Sequence, residues 1–411
     1  MAYPLRPITE DEFEAWARMI ADTYGMDRSH QEIANQRAAT DLRRTIAAFD
    51  QDTPVGGASL YPRMLTVPGA VTPVAGVATV GVTPTHRRRG ILTSMMRRQL
   101  TDLHEQGLEP IAALRPAEAA IYGRYGYGPA TRGSRLRCEK RAMFFRPGTD
   151  FGGGSIRLVN RAQALRQIEK VYDAVRTTSV GWPDRGEEHW KVRFFDEPHA
   201  RGGATSLRFA LHQEPDGRTT GYVSYRHREA RGNDVGTVVV EELAALTRSA
   251  YAALWRYLVG IDLAPWIEYE GAVDEPLQHM LTDPRSLRPS TVDRLWVRLV
   301  DVDRALEVRR YSAPLDVVLE VDDSFCPWNT GRYRLRADGD AVSCERTEES
   351  ADLRLDVAEL GAAFLGGTTL TSLAAAGLVE ELRPGALART SAAFRGDREP
   401  FYPGGWAFPL Y

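Results

Sequence analysis

HRRRGILTSMMRRQL, residues 86–100, places three adjacent arginines and a glycine directly before a stretch with helical spacing. The run ahead of it, VTPVAGVATVGV (71–82), is β-rich, so the cations stand on a turn between a strand and a helix. The positive end of a helix dipole repels cations, so such a cluster is unfavourable there unless an anion is bound. The glycine lets the backbone approach a ligand closely, and the first N–H groups of the helix point outward. Arginines added to that arrangement make a seat for a pyrophosphate. The turn carries neither GxxxxGK[ST] nor GxGxxG, so neither a P-loop nor a Rossmann dinucleotide site is expected.

Working outward, ITEDEFEAWARMIADTYG (8–25) predicts a helix with Thr9 as N-cap and Phe13, Trp16, Ala17 and Ile20 on one face. TIAAFDQDTPVGGASLYPRMLTV (45–67) predicts two strands around a turn, and ILTSMMRRQLTDLHEQG (91–107) an amphipathic helix ending near Gly107. PIAALRP (110–116) reads as a short strand, and IYGRYGYGPATRGSRLRCEK (121–140) as helix, loop and strand in turn. These elements make a mixed α/β domain over residues 1–147, closed by the Gly/Pro/Ser-rich linker PGTDFGGGS (147–155).

A second α/β domain is expected over 148–290, with the succession strand, short turn, long helix in DVGTVVVEELAALTRSAYAALWRYLVGID (234–262). Laid without gaps over the first domain, Val240 falls on Val82, and Leu246, Thr247 and Arg248 fall on Arg88, Arg89 and Gly90. That register reads as a degenerate internal duplication, with two unrelated α/β units as the alternative. A third domain, 291–411, carries strands and then helices and closes on REPFYPGGWAFPLY.

The chain has 411 residues and a net charge of −3, which makes the arginine cluster a local device and not part of a generally basic nucleic-acid-binding surface. Cys138, Cys326 and Cys344 are far apart and form no CxxC pair, so no disulfide framework or metal site is expected, and a reducing, cytoplasmic location is. Acids in the N-terminal stretch argue against a leader peptide, and no run of about 18 apolar residues suggests a membrane span.

Arg87-x-x-Gly90 after VGVTP resembles the coenzyme A pyrophosphate loop of the GNAT N-acetyltransferases, with Leu92 standing where that loop usually has a small residue. Together with IYGRYGYGPAT and the aromatic C-terminus, VTPTHRRRGIL is similar to the Eis (enhanced intracellular survival) family over essentially the whole chain. The resemblance implies tandem GNAT-like domains, the second without a coenzyme site, and a C-terminal sterol-carrier-protein-like domain. It also implies a homohexamer and acetyl-CoA as co-substrate. By this likeness Val80, Gly81 and Val82 pair with the pantetheine arm and acetyl carbonyl. Arg87, Arg88, Arg89, Gly90, Ile91, Leu92 and Thr93 hold the pyrophosphate, and Ala117 and Glu118 line the thioester region. Tyr122 is the general acid, and the terminal carboxylate, here on Tyr411, the base.

The chemistry is compatible with most of these roles. A strand N–H can stabilise an oxyanion, and a phenol with a pKa of about 10 can protonate a thiolate whose thiol is near about 8.5. A terminal carboxylate, with a pKa of about 3.5, is a poor base for an ammonium and better suited to orienting a cationic amine or taking its proton through water. His86 reads as an ordinary loop residue, and Trp16, Tyr24 and Met26 as core before acceptor pocket. Asp22, Asp27 and Glu399 are candidates for attracting a cation. The FLGG run, 364–367, reads as a helix C-cap in preference to a lipid cavity. Acetyl transfer to amines of polycationic small molecules or lysines is one reading. A non-catalytic acyl-CoA or lipid carrier on the same scaffold is another.

Overall fold

The structure is a computed structural model and describes residues 3–229 and 236–406. The chain divides into two compact units, one of Met1–Thr131, Pro183–Arg193 and Arg294–Tyr411, the other of Arg132–Trp182 and Phe194–Asp293.

The first unit holds two sheets. One contains β1 (Leu5–Arg6), β2 (Thr45–Asp50), β3 (Thr53–Val67), β4 (Ala70–Val82), β5 (Ile111–Leu114), β6 (Gly128–Pro129) and β14 (Trp296–Leu299), in the order β1-β2-β3-β4-β5-β14-β6. β2, β3 and β4 form an antiparallel meander, and β5 joins parallel to β4 after the crossover helix α3 (Ile91–Gln106). α1 (Phe13–Thr23) buries the expected face, Phe13, Trp16, Ala17 and Ile20. Trp16 fits because β3 has a glycine beneath it: a Cβ on Gly57 would stand 2.1 Å from Trp16 Nε1. The predicted cap at Thr9 is corrected. Glu12 occupies the N-cap, and its carboxylate accepts the Thr9 N–H at 2.9 Å, because residues 10–12 form a turn and the first buried side chain is Phe13. α2 (His30–Ala39) opens on a capping box of Ser29 and Glu32.

β14 differs from expectation. The sequence pattern assigns it to the third domain, yet it sits beside β5 in the first sheet with all four residues buried. Following it, α9 (Val302–Glu307) leads to a second sheet of β15 (Leu315–Asp322), β16 (Gly331–Asp338), β17 (Ala341–Arg346), β18 (Leu353–Asp356) and β19 (Val379–Glu381), ordered β17-β16-β15-β18-β19. Three helices accompany it: α10 (Val357–Ala363), α11 (Leu370–Ala375) and α12 (Ala386–Phe394). α10 lies backbone to backbone on the first sheet. A Cβ on Gly128 would stand 1.9 Å from the Ala358 carbonyl oxygen, and one on Gly361 2.4 Å from that of Val297. The FLGG run closes α10 as a cap. Phe364 and Leu365 are fully buried, and Gly366 turns the chain with φ of +86°.

The second unit has its own sheet, ordered β13-β7-β12-β11-β10-β9-β8. Its strands are β7 (Arg132–Glu139), β8 (Ser155–Val159), β9 (Arg208–Gln213), β10 (Thr219–Arg228), β11 (Thr237–Ala245), β12 (Trp266–Ala272) and β13 (Ser290–Asp293). β7, expected in the first domain, pairs here with β12 and β13. Leu136 and Cys138 point into the unit's core with Val223, Val238, Leu254, Trp255 and Ile267, so their burial fixes the strand's membership. The succession β11, α7 (Arg248–Val259), β12 repeats that of β4, α3, β5, including the parallel pairing, as the gapless overlay predicts.

Candidate active site

β4 carries the site. It pairs with β5 only over Val74–Gly76 against Ile111–Ala113. Toward its end it also slips against β3: Gly57 faces Gly81, whereas Ser59 faces Ala78, so β4 has one residue more. Thr79 takes the extra place with φ of +53°, its hydroxyl held 2.5 Å from that of Ser59. A bulge bends its strand, and beyond Gly76 no paired strand lies on the β5 side of β4 among the described residues. On that side the backbone of Val80 and Val82 faces an open edge, while Gly81 between them pairs with Gly57 of β3. Two of the carbonyls there are occupied: Val80 accepts from the Tyr24 hydroxyl at 2.6 Å and Val82 from Arg87 Nε at 3.3 Å. Gly81 is a packing requirement as well, since a Cβ there would meet Thr23 Oγ1 at 2.5 Å.

The edge runs into the arginine turn. His86 anchors that turn, with Nε2 3.1 Å from Asp50 Oδ2 and Nδ1 2.9 Å from the Thr85 hydroxyl, the structural role expected of it. Arg88 adopts φ of +63° and Gly90 +81°, and Arg87 through Gly90 are all exposed. Gly90 is the N-cap of α3, with no side chain capping the helix and nothing within 4 Å of where its Cβ would stand. α3 thus starts without a side-chain cap, directly after three exposed arginines. Arg87 braces the turn through the Val82 and Thr23 carbonyls, both at 3.3 Å, and Arg89 donates to the Tyr3 hydroxyl at 2.9 Å. Ile91 is buried against Gly56 of β3, whose Cβ would meet it at 3.0 Å. The close approach of helix to sheet that Leu92 denies on the helix side is supplied by a strand glycine. Leu92 itself is half-buried, and Thr93 Oγ1 lies 3.2 Å from the Tyr125 hydroxyl.

Tyr122 ends α4 (Ala119–Tyr122), with Ala117 and Glu118 exposed just ahead of it. Its ring packs edge-on to Tyr127 at 6.0 Å and shares an apolar cluster with Val77, Met96, Leu114, Val80 and Leu92. Strand end, helix start and phenol therefore converge. Burial, then the neighbouring Tyr24, Tyr127 and Tyr125 phenols and Glu118, push the Tyr122 hydroxyl well above its ordinary pKa. The tyrosine-glycine loop rests on the fully buried ion pair of Arg298 and Asp323. A Cβ on Gly126 would meet the Arg298 guanidinium at 2.7 Å. This support, like the Thr93–Tyr125 contact, has no signal in the sequence, because its members are distant along the chain.

The C-terminal segment docks at the point where β4 and β5 part. Trp406 is 2% exposed, and its ring lies 3.2 Å from the position a Gly76 Cβ would take. Arg63 donates to the Gly405 carbonyl at 3.0 Å and Arg185 to that of Gly404 at 3.1 Å. Tyr411, with Ala407–Leu410, lies outside the described residues. Trp16 is core and Tyr24 lies on the open edge. Asp22 and Asp27 are exposed, and Glu399 is half-buried.

The second unit offers a contrast. Only Leu246 and Thr247 separate β11 from α7, and the Thr247 hydroxyl accepts the Ala250 N–H at 3.1 Å. That helix start is capped from within and has no glycine. Among the described residues no group of three His, Cys, Asp or Glu is placed to hold a metal ion, and no helix is long and apolar enough to cross a membrane.

Comparison with known proteins agrees with this geometry. Family profiles described as "Acetyltransferase (GNAT) domain" match residues 4–130 and 181–302, and one described as "Sterol carrier protein domain" matches 302–403. An uncharacterized N-acetyltransferase of Streptomyces coelicolor is 42% identical over 98% of this chain and 99% of its own. N-acetyltransferase Eis of Mycobacterium tuberculosis is 36% identical over 84% of each chain. The crystal structure of Eis1 from Mycobacterium abscessus superposes with a TM-score of 0.85 at 34% identity, covering 98% of this chain and 100% of that one. A GNAT fold implies an acyl-coenzyme A co-substrate. With two GNAT domains, a sterol-carrier domain and this extent of likeness, the chain belongs to the Eis family of GNAT N-acetyltransferases.

Proposed function

We propose that the protein transfers acetyl from acetyl-CoA to amines of polycationic small molecules of the aminoglycoside kind or to lysine side chains. The observation that carries this is the continuous path from the open backbone edge of β4 to the uncapped start of α3 under Arg87, Arg88 and Arg89. The fit is specific. The helix N–H groups and guanidiniums would hold the pyrophosphate, with Ile91, Leu92 and Thr93 supplying backbone. Val80, Gly81 and Val82 would pair with the pantetheine arm, and a strand N–H would stabilise the oxyanion. Ala117 and Glu118 would flank the thioester. A bound acetyl-CoA supplies the activated acyl group. Tyr122 holds the proton for the departing thiolate. Tyr411, which lies outside the described residues, is the candidate to orient the amine, as the family resemblance implies. Asp22, Asp27 and Glu399 favour a cationic acceptor. The domains proposed are 1–147, 148–290 and 291–411, in a cytoplasmic homohexamer. Light scattering on the purified protein tests the hexamer.

Two measurements test the coenzyme site. Arg88→Glu with Arg89→Glu puts two anions beside the pyrophosphate and is expected to weaken acetyl-CoA binding by more than about 100-fold by calorimetry, each charge-assisted contact being worth about 1.5–3 kcal/mol. Unchanged affinity would remove the turn from the site. The wild type should bind one coenzyme per chain, because the start of α7 is capped by Thr247; a stoichiometry of two would overturn that. Free thiol release in the presence of an amine panel separates transfer from the carrier alternative, which predicts binding without turnover.

A further inference from the structure

Pro183–Arg193 belong to the first unit, although Trp182 and Phe194 on either side of them belong to the second. The coenzyme site does not explain this detour. The segment lies along β3. Pro183 forms an isolated antiparallel bridge with Leu65, and the Asp184 N–H donates to the Met64 carbonyl at 2.8 Å. The Met64 N–H donates in turn to Asp184 Oδ1 at 3.0 Å. Further along, the His189 ring stands edge-on to Tyr61 of β3, with centroids 6.0 Å apart.

What the segment meets there is the last described stretch of the chain. Asp184 Oδ1 also accepts from Arg63 Nε at 2.9 Å, and Arg63 Nη1 donates to the Gly405 carbonyl at 3.0 Å. Arg185 Nη2 donates to the Gly404 carbonyl at 3.1 Å, while its guanidinium lies over the Trp190 ring at 4.8 Å. Both arginines are buried. Gly404 and Gly405 take φ of +86° and +101°, and a Cβ on Gly405 would stand 2.8 Å from Arg185 Nε. Trp406 follows at once, packed on the Tyr402 ring at 4.9 Å and against Gly76 of β4. Apolar packing would be enough to cover a tail. Two buried guanidiniums, each costly to take out of water, instead hold two consecutive carbonyls at fixed points. Only Ala407–Tyr411 come after Trp406, and five residues span at most about 18 Å. The place at which Trp406 is held therefore bounds where the terminal carboxylate can stand.

We propose that Arg63 and Arg185 are positioning residues for the transfer: by gripping Gly405 and Gly404 they fix Trp406 against β4 and set the reach of the terminal carboxylate toward the acceptor amine. This role rests on the acetyltransferase reading above, with Tyr411 orienting the amine. Neither arginine touches a substrate. Asp184 braces Arg63 from β3, and Arg185 supplies the second grip, which is what the detour contributes.

The test is steady-state kinetics of Arg185→Met in the full chain, with neomycin, spermidine and a tri-lysine peptide as acceptors. For the best of the three, the amine KM should rise and kcat/KM fall by about 10–100-fold, the loss expected when a reacting group is displaced by about an ångström, while acetyl-CoA affinity stays within about twofold. A merely structural loss would lower kcat and leave the amine KM as it was. Hydrogen exchange read by mass spectrometry should quicken in the peptide spanning 399–411. Gly405→Ala removes no charge and pushes on Arg185; it should reproduce the rise in amine KM, and it stands in should Arg185→Met fail to fold. The role is overturned if exchange at 399–411 is unchanged, if exchange quickens and the amine kinetics stay those of the wild type, or if kcat alone falls. A wild type that releases no thiol with any of the three amines overturns the acetyltransferase reading itself and the role with it, whereas a wild type that turns over beside an unaffected variant overturns the role alone.

Discussion

Replacing Tyr122 by phenylalanine is expected to lower turnover by about 10²–10⁴-fold, the range of general acid catalysis, with acetyl-CoA affinity unchanged. The ring contributes the packing against Tyr127 and the apolar cluster, and phenylalanine keeps it. The hydroxyl has no hydrogen-bond partner among the described residues, so its loss orphans no neighbour there. Burial raises its pKa, and the adjacent phenols and Glu118 raise it further, so the phenol stays protonated at any pH at which the enzyme would work. A raised pKa weakens an acid, but under the proposed mechanism the thiolate would leave into the same dry cluster, where its own proton affinity would also rise. The sign of the pH dependence follows. Activity should climb with pH as the acceptor amine loses its proton, and ionisation of Tyr122 should produce no falling limb below about pH 10. Steady-state rates within about threefold of wild type for the phenylalanine variant would exclude Tyr122 from proton transfer.

Arg309→Met is expected to destabilise the first unit by about 3–5 kcal/mol, read as a lower midpoint of urea denaturation. Arg309 is fully buried, and its guanidinium donates to the carbonyls of Phe364 and Phe394, where α10 and α12 end. It lies over the rings of Phe394 and Tyr311 at 4.6 and 4.7 Å. The negative ends of two helix dipoles and two aromatic faces offset the charge. Burial pulls its pKa down to about 10, so it remains charged at neutral pH. Methionine fills much of the volume but leaves the buried carbonyls unmatched. Lysine should not rescue, because one ammonium cannot span two helix ends as the planar guanidinium does. A loss below about 1 kcal/mol would show that water serves those carbonyls as well as the arginine.

The sequence by itself determined what is local. The 3.6-residue period placed Phe13, Trp16, Ala17 and Ile20 on the buried face of α1. The glycines at 90 and 107 marked the ends of α3, and the arginines beside Gly90 are the basis for expecting an anion there. Leu246 and Thr247, at the register of Arg88 and Arg89, are why one coenzyme per chain is expected. Tertiary structure alone decided what depends on partners far along the chain. β7 and β14 each read as an ordinary strand, and only the sheet with a vacant edge and a matching buried face settles where they pair. Gly76, Gly128 and Gly361 carry no signal of their own until Trp406, Ala358 and Val297 arrive against them. The extra residue at Thr79, where β4 slips against β3, carries none either, because a one-residue bulge leaves no trace in composition or period. The support beneath Tyr122 is of the same kind: Arg298 and Asp323 look like surface charges in the sequence, and only the fold buries them together.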